Sequence, residues 1–228
     1  MKNLNTYITE KLKIRKSNKP SYKYFPKTKE ELQDILNQLI KEQGNEGDFN
    51  DIDTSEITDM SYLFGTLEEF NGDISNWVVS NVTDMDSMFY RCYSFNQDIS
   101  NWNVSNVTDM NSMFYGCQSF NQDISNWDVS NVTDMNNMFI HCILFNQDIS
   151  NWNVSKVKDM KYMFYGCESF NQDISNWDVS NVKNMVWMFG ECKSFNQDIS
   201  NWNVTNVKDT EDMFKYCSIE EKYKPKFN

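Results

Sequence analysis

From Phe70 onward the chain repeats every 25 residues without slippage, and no other feature limits its fold so strongly. Phe70, Phe95, Phe120, Phe145, Phe170 and Phe195 each open a unit. Trp77, Trp102, Trp127, Trp152, Trp177 and Trp202 follow in step, as do Cys92, Cys117, Cys142, Cys167, Cys192 and Cys217. A degenerate unit at 45–69 keeps Phe49, Ile52, Ile57, Met60, Leu63, Phe64 and Leu67 in the same register, which makes seven units. A unit of this size cannot bury its own apolar face and must stack on its neighbours.

Spacing within one unit predicts two local structures. Trp102-Asn103-Val104 alternates inward and outward like a strand. Met110, Met113, Phe114 and Cys117 fall at i, i+3, i+4 and i+7, one face of a short helix. Asp109 precedes that run, and its counterparts Asp84, Asp134, Asp159, Asn184 and Asp209 are also Asp or Asn, as a helix N-cap requires. Each unit therefore reads as strand, turn, two helical turns and a final turn. Seven stacked strands would make a sheet roughly 30 Å long.

The segment Phe95-Asn96-Gln97-Asp98-Ile99-Ser100-Asn101-Trp102-Asn103-Val104-Ser105-Asn106-Val107-Thr108-Asp109-Met110, continuing to Met113-Phe114-Tyr115-Gly116-Cys117, closely resembles the 25-residue repeats of BspA-like bacterial surface proteins. That family is related to leucine-rich repeats, and Ile99-x-x-Trp102-x-Val104 corresponds to the Leu-x-x-Leu-x-Leu half of such a repeat. The second half departs, because the methionine run replaces the family's asparagine-leucine pattern. The resemblance implies an α/β fold: a right-handed, leucine-rich-repeat-like solenoid of strand-turn-short-helix rungs with binding or adhesion duties. It names no ligand.

Three segments follow. Residues 1–44 form a basic N-terminal cap with an amphipathic helix, in which Thr28 and Glu31 make a capping-box pattern before Leu32, Ile35, Leu36, Leu39 and Ile40, and Gly44 is the stop. Residues 45–219 hold the seven units and 220–228 form a capping tail; Ile219, at the end of the last unit, and Tyr223 and Phe227 of the tail offer an apolar lid. The charge divides at the first boundary, about +5 over 1–44 and −17 over 45–228, within an overall −12. Lys11, Lys13, Arg15, Lys16, Lys19, Lys23, Lys27 and Lys29 could grip phosphates, but they carry no recognised nucleic-acid motif. A solvated cap against acidic units accounts for them, and nucleic acid is not expected as a partner.

Several classes are disfavoured. No run approaches the ~18 apolar residues of a membrane helix, and Met1 to Ile14 has no continuous apolar stretch of a secretory signal. With free cysteines, this suggests a cytoplasmic protein, exposed at a surface only by a non-standard route. The cysteines occur singly, one per unit, without the close pairs that zinc prefers. They read as buried thiols, with no metal and no cofactor expected. His141 is the sole histidine and has no nucleophile at an interpretable spacing, so no enzyme is expected. Asp73, Asp98, Asp123, Asp148, Asp173 and Asp198 repeat once per unit, either as Asx-turns on the following serine and asparagine or as calcium ligands between units. The turns are the simpler account.

Two surfaces remain as binding candidates. The residues between Trp and Val include Asn103, Asp128, Asn153 and Asp178, a polar and mildly acidic face. On the methionine run, outward positions drift from unit to unit and bring Tyr162, Tyr165 and Trp187 onto adjacent rungs, with Ile140 nearby. Exposed aromatic clusters mark interaction sites. The function this predicts is non-catalytic recognition of a protein partner by an extended repeat surface. The alternatives are a self-assembling structural component of a particle or layer, and a carbohydrate or cell-surface adhesin.

Overall fold

The computed structural model describes residues 22–227. Lys11, Lys13, Arg15, Lys16 and Lys19 of the basic segment lie outside the described residues.

Helix α1 spans Lys29–Gln43. Thr28, in extended conformation, accepts the Glu31 N–H on its hydroxyl, and the Gly44 N–H closes the last turn on the Ile40 carbonyl. The capping box is offset: the Glu31 carboxylate accepts from the Lys27 N–H, not from Thr28. Leu32, Leu36 and Leu39 are buried and join the repeats in one apolar cluster. Among the described residues no helix is long and apolar enough to cross a membrane.

The strand-turn-helix rungs expected from the spacing do not form. Among the described residues α1 is the only α-helix, and the repeats contain no sheet, only single parallel bridges such as Asp84↔Asp109 and Asp109↔Asp134. The run from Met110 to Cys117 is two successive four-residue turns, 110–113 and 114–117, joined by a third that overlaps both. The Met113 N–H donates to Met110, Tyr115 to Ser112 and Cys117 to Phe114, at 3.0–3.3 Å. The intervening N–H groups of Met110, Ser112, Phe114 and Gly116 point along the stack, to Asp134, Asn136, Met138 and Ile140 of the next unit. In a helix the Phe114 and Gly116 N–H groups, past the first turn, would instead bond to the carbonyls of Met110 and Ser112.

Left-handed residues cause this change. Ser112 has φ +53° and Gly116 has φ +78°, and the same pair recurs in every unit, from Tyr62 and Thr66 to Asp212 and Tyr216. A left-handed residue every fourth position stops helical propagation. Four-residue turns also place the first and fourth side chains inward, which generates i, i+3, i+4 and i+7. The helical and turn readings are degenerate in that pattern.

The Trp102-Asn103-Val104 alternation is real: the outer two are buried and Asn103 is exposed. It makes no strand because the Trp102 N–H closes a turn on Ile99 and the Val107 N–H closes one on Val104. The predicted N-caps, Asp84 to Asp209, are instead the bridge residues. Each accepts the N–H two residues ahead on Oδ1, as Asp109 does from Asn111 at 2.9 Å.

Side chains link the units where backbone does not. Each Trp Nε1–H from Trp102 to Trp202 donates to an isoleucine carbonyl of the preceding unit at 3.0–3.3 Å. Each thiol from Cys92 to Cys192 donates to a phenylalanine carbonyl at 2.9–3.1 Å. Burial pushes these thiols up, so they stay protonated. Asparagine does much of the remaining bonding, which explains its 31 occurrences in a chain without alanine. Asn96 Oδ1 accepts from the Asn121 N–H, and Asn106 Nδ2–H donates to the Ser80 carbonyl. Between these polar rows Phe89, Phe114, Phe139 and Phe164 stack with centroids 5.6–5.7 Å apart. The last unit is covered in part by the tail, with Ile219 buried and the Ile199 N–H bonded to Tyr223. Phe227 stays 38% exposed.

Gly116 tests the turn geometry directly. A Cβ there would meet the Arg91 Cα and Tyr93 Cε1 at 3.5 Å and the Arg91 Cγ at 3.6 Å, ordinary contacts, so space does not forbid alanine. Its φ does. Gly116→Ala is expected to lower stability by about 1 kcal/mol, and Arg91→Gly, at the same position one unit earlier, to raise it slightly. Urea midpoints with unchanged slopes would show both.

Candidate functional site

The turns that displace the helix also set the exposed surface. Tyr162 and Trp187 occupy the first left-handed position of their units, with φ of 54° and 55°. Their rings lie 6.5 Å apart and nearly parallel. Tyr165 meets both edge-on, at 5.7 Å from Tyr162 and 5.5 Å from Trp187. The three residues brought together by spacing alone are therefore one cluster.

Charges surround it. Lys215 Nζ sits 4.8 Å from the Trp187 ring centre, and Lys161 Nζ 5.2 Å from that of Tyr162. The Tyr165 hydroxyl donates to Glu191 Oε1 at 2.8 Å. That bond favours the neutral phenol and pushes it up to about 12. The Tyr165 ring is thus held in place by its hydroxyl.

Beside the cluster lies an open groove of about 390 Å³ lined by Tyr115, Asn137, Ile140, His141, Tyr162 and Tyr165. Ile140 forms its floor, since only 6% of it is exposed. His141 stands at the rim, its ring 5.2 Å from Tyr165. The aromatic row continues to earlier units: Tyr115 stacks on Tyr90 at 4.7 Å, and Tyr90 lies 6.1 Å from Tyr62. Tyr62 is 49% exposed and was legible as the residue two after Met60, in the degenerate unit. His141 joins the rim through packing, which no motif signals.

The second candidate face is built differently. Asn103, Asp128, Asn153 and Asp178 are exposed, and each accepts an N–H on Oδ1 from the serine two residues ahead, at 3.0–3.2 Å. Bonding to Ser130 and Ser180 holds the Asp128 and Asp178 carboxyls below the usual range. None of these four lines the aromatic groove. They form a row of turn-making side chains, which leaves a carboxylate oxygen of Asp128 and Asp178 and the amide NH2 of Asn103 and Asn153 for solvent.

The aspartate row behaves likewise. Asp73 to Asp198 each accept the serine N–H two positions on, at 2.9–3.0 Å, while the asparagine N–H takes no part. The serine bonds hold Asp123, Asp148, Asp173 and Asp198 below the ordinary carboxylate range. Among the described residues no three His, Cys, Asp or Glu side chains converge as a metal would need.

No curated protein and no solved structure matches the chain. One family model does, described as a Mycoplasma protein of unknown function, DUF285, and it aligns twice, over residues 32–142 and 122–225. The two alignments together run from α1 to the tail, so the chain belongs to the DUF285 family.

Proposed function

We propose that the chain is a non-catalytic recognition module that binds a protein partner through the aromatic cluster of Tyr162, Tyr165 and Trp187. The observation behind this reading is the cluster's departure from the repeat. The equivalents of Trp187 include Ser87 and Ser112, so the stack does not require an aromatic there. Three large rings share one surface beside a groove, with the Tyr165 ring held by its hydroxyl. Such aromatic anchors dominate binding energy in protein interfaces. The likeness of the repeat to BspA-like surface proteins, whose repeats serve binding, points the same way. The polar row through Asp128 and Asp178 has its side chains committed to turns and offers few anchors.

The test is a pull-down from native lysate with three baits. Wild type is expected to capture one stoichiometric protein. Tyr162→Ala/Trp187→Ala is expected to lose it, with binding weakened by 100-fold or more, since two anchors at about 2 kcal/mol each are removed. Asp128→Lys/Asp178→Lys is expected to retain it. Loss in the acidic-face variant with retention in the aromatic variant would move the site to the other surface.

A further inference from the structure

A second set of departures from the repeat lies elsewhere, and all are to lysine. The position two before each first methionine reads Thr83, Thr108 and Thr133, then Lys158, Lys183 and Lys208. In the same region Lys156 replaces the asparagine found at 81, 106, 131, 181 and 206. The three successive lysines are in direct register: the Lys183 N–H donates to the Lys158 carbonyl at 2.9 Å, and the Lys208 N–H to the Lys183 carbonyl at 2.8 Å. Their side chains are exposed and form no ion pair among the described residues. Like charges stacked about 5 Å apart repel one another. The exchange at 156 also gives up the asparagine bond to the preceding serine carbonyl, which Asn131 and Asn181 make at 2.7 and 2.8 Å. Among the described residues Lys158, Lys183 and Lys208 make no side-chain bond, so the stack gains no specific contact from them.

Lys156, Lys158 and Lys183 converge on a groove of about 400 Å³ that Thr133, Ser155 and Asn181 complete, and Lys208 follows one unit beyond it. Lys156 Nζ spends one of its donors on Asn131 Oδ1, and Asp128 is its acidic neighbour. The other lysine ammoniums are open to a ligand. The neutral lining is of a different character. The donors of Thr133, Ser155 and Asn181 are bonded within the stack, to the Thr108 carbonyl, Asn153 Oδ1 and the Ser155 carbonyl. What those residues still present is mainly acceptor oxygen, notably Asn181 Oδ1, beside the second Asn181 amide N–H. A fitting ligand must therefore carry anionic groups for the lysines and hydroxyl donors for these oxygens, along a length of about two unit spacings, or 10 Å. No aromatic side chain lines the groove. The stacking platform that unpaired nucleic acid bases require is missing, and inorganic polyphosphate brings no hydroxyl donors.

We propose that the groove of Lys156, Lys158 and Lys183, extended by Lys208 in the next unit, binds a sulfated glycan chain, with the lysines on sulfate and the Asn181 and Thr133 oxygens accepting from sugar hydroxyls. The site shares no residue with the aromatic groove, so it stands or falls separately from it.

The repeat supplies the test variant. Lys158→Thr/Lys183→Thr/Lys208→Thr restores the residue that the four other units carry, at Thr58, Thr83, Thr108 and Thr133, so folding is preserved. The probe is a sulfated heparin hexasaccharide, titrated by calorimetry at low salt and at 150 mM salt into the full chain. Wild type is expected to bind with affinity that falls steeply with salt, and the triple variant at least tenfold more weakly. Lys156→Asn is expected to weaken binding by a smaller factor. A variant changing Lys11, Lys13, Lys16 and Lys19 to Gln is expected to bind as wild type. The proposal is overturned by equal binding of the triple variant, by loss on changing the N-terminal lysines, or by equal affinity for the desulfated hexasaccharide. Equal or tighter binding of single-stranded DNA or polyphosphate would also overturn it.

Discussion

Phe114→Ala is expected to cost about 3–5 kcal/mol of folding stability, most of what a chain with marginal stability has to lose. Phe114 is fully buried at the centre of the stack. Its ring lies 5.6 Å from Phe89 and from Phe139 in the adjoining units, 4.2 Å from Phe120 and 6.2 Å from Trp127. Removing it opens a cavity between three units at once, and the neighbouring rings cannot collapse inward because each is fixed by its own stack. Urea denaturation followed by tryptophan fluorescence would measure the loss. Tyr216→Ala, at a residue 72% exposed, should change stability by no more than about 0.5 kcal/mol. If Phe114→Ala matched that small effect, the continuous aromatic stack would be wrong.

Ser112→Pro is expected to be as damaging, at about 3 kcal/mol or more, for a reason of backbone alone. Ser112 has φ +53°, and its N–H donates to Asn136 of the next unit at 2.9 Å. Proline locks φ near −65° and has no N–H, so it removes the turn and the link between units together. Ser112→Gly separates this geometry from a helix. In a helix interior glycine would cost about 1 kcal/mol. In the left-handed turn it relieves strain, so the net change should be near zero or stabilising, apart from the hydroxyl bond to Asn111. A glycine variant clearly less stable than wild type, with a proline variant only mildly affected, would contradict the turn structure.

Both predictions trace to what was legible in the sequence and what was not. The 25-residue register and the inward side chains could be read directly. Every Phe, Trp, Met and Cys of the periodic ladders from 70 to 202 is buried, as their spacing required. Tyr162, Tyr165 and Trp187 were recognisable as a cluster because a strict repeat makes any exception visible. Helix α1 was legible from its local caps, Thr28 and Gly44. The apolar spacing suggested a strand and a helix within each unit, and there the reading failed. The i, i+3, i+4, i+7 pattern at Met110, Met113, Phe114 and Cys117 satisfies a helix and a pair of four-residue turns equally well.

The sequence by itself determined the period, the residues inside and the residues free to vary. Those follow from hydrophobic spacing, which depends on side chains alone. The conformation of the backbone between them was decided only by stacking. An isolated segment such as 110–117 can bond its N–H groups within one helix. Set between two copies of itself, it can send every second N–H to the next unit and still bury the same four side chains. Ser112 and Gly116 then cross into the left-handed region, and the extra bonds between units offset that strain. The same crossing turns Tyr162 and Trp187 into neighbours across units, so the candidate site exists only once the units are stacked.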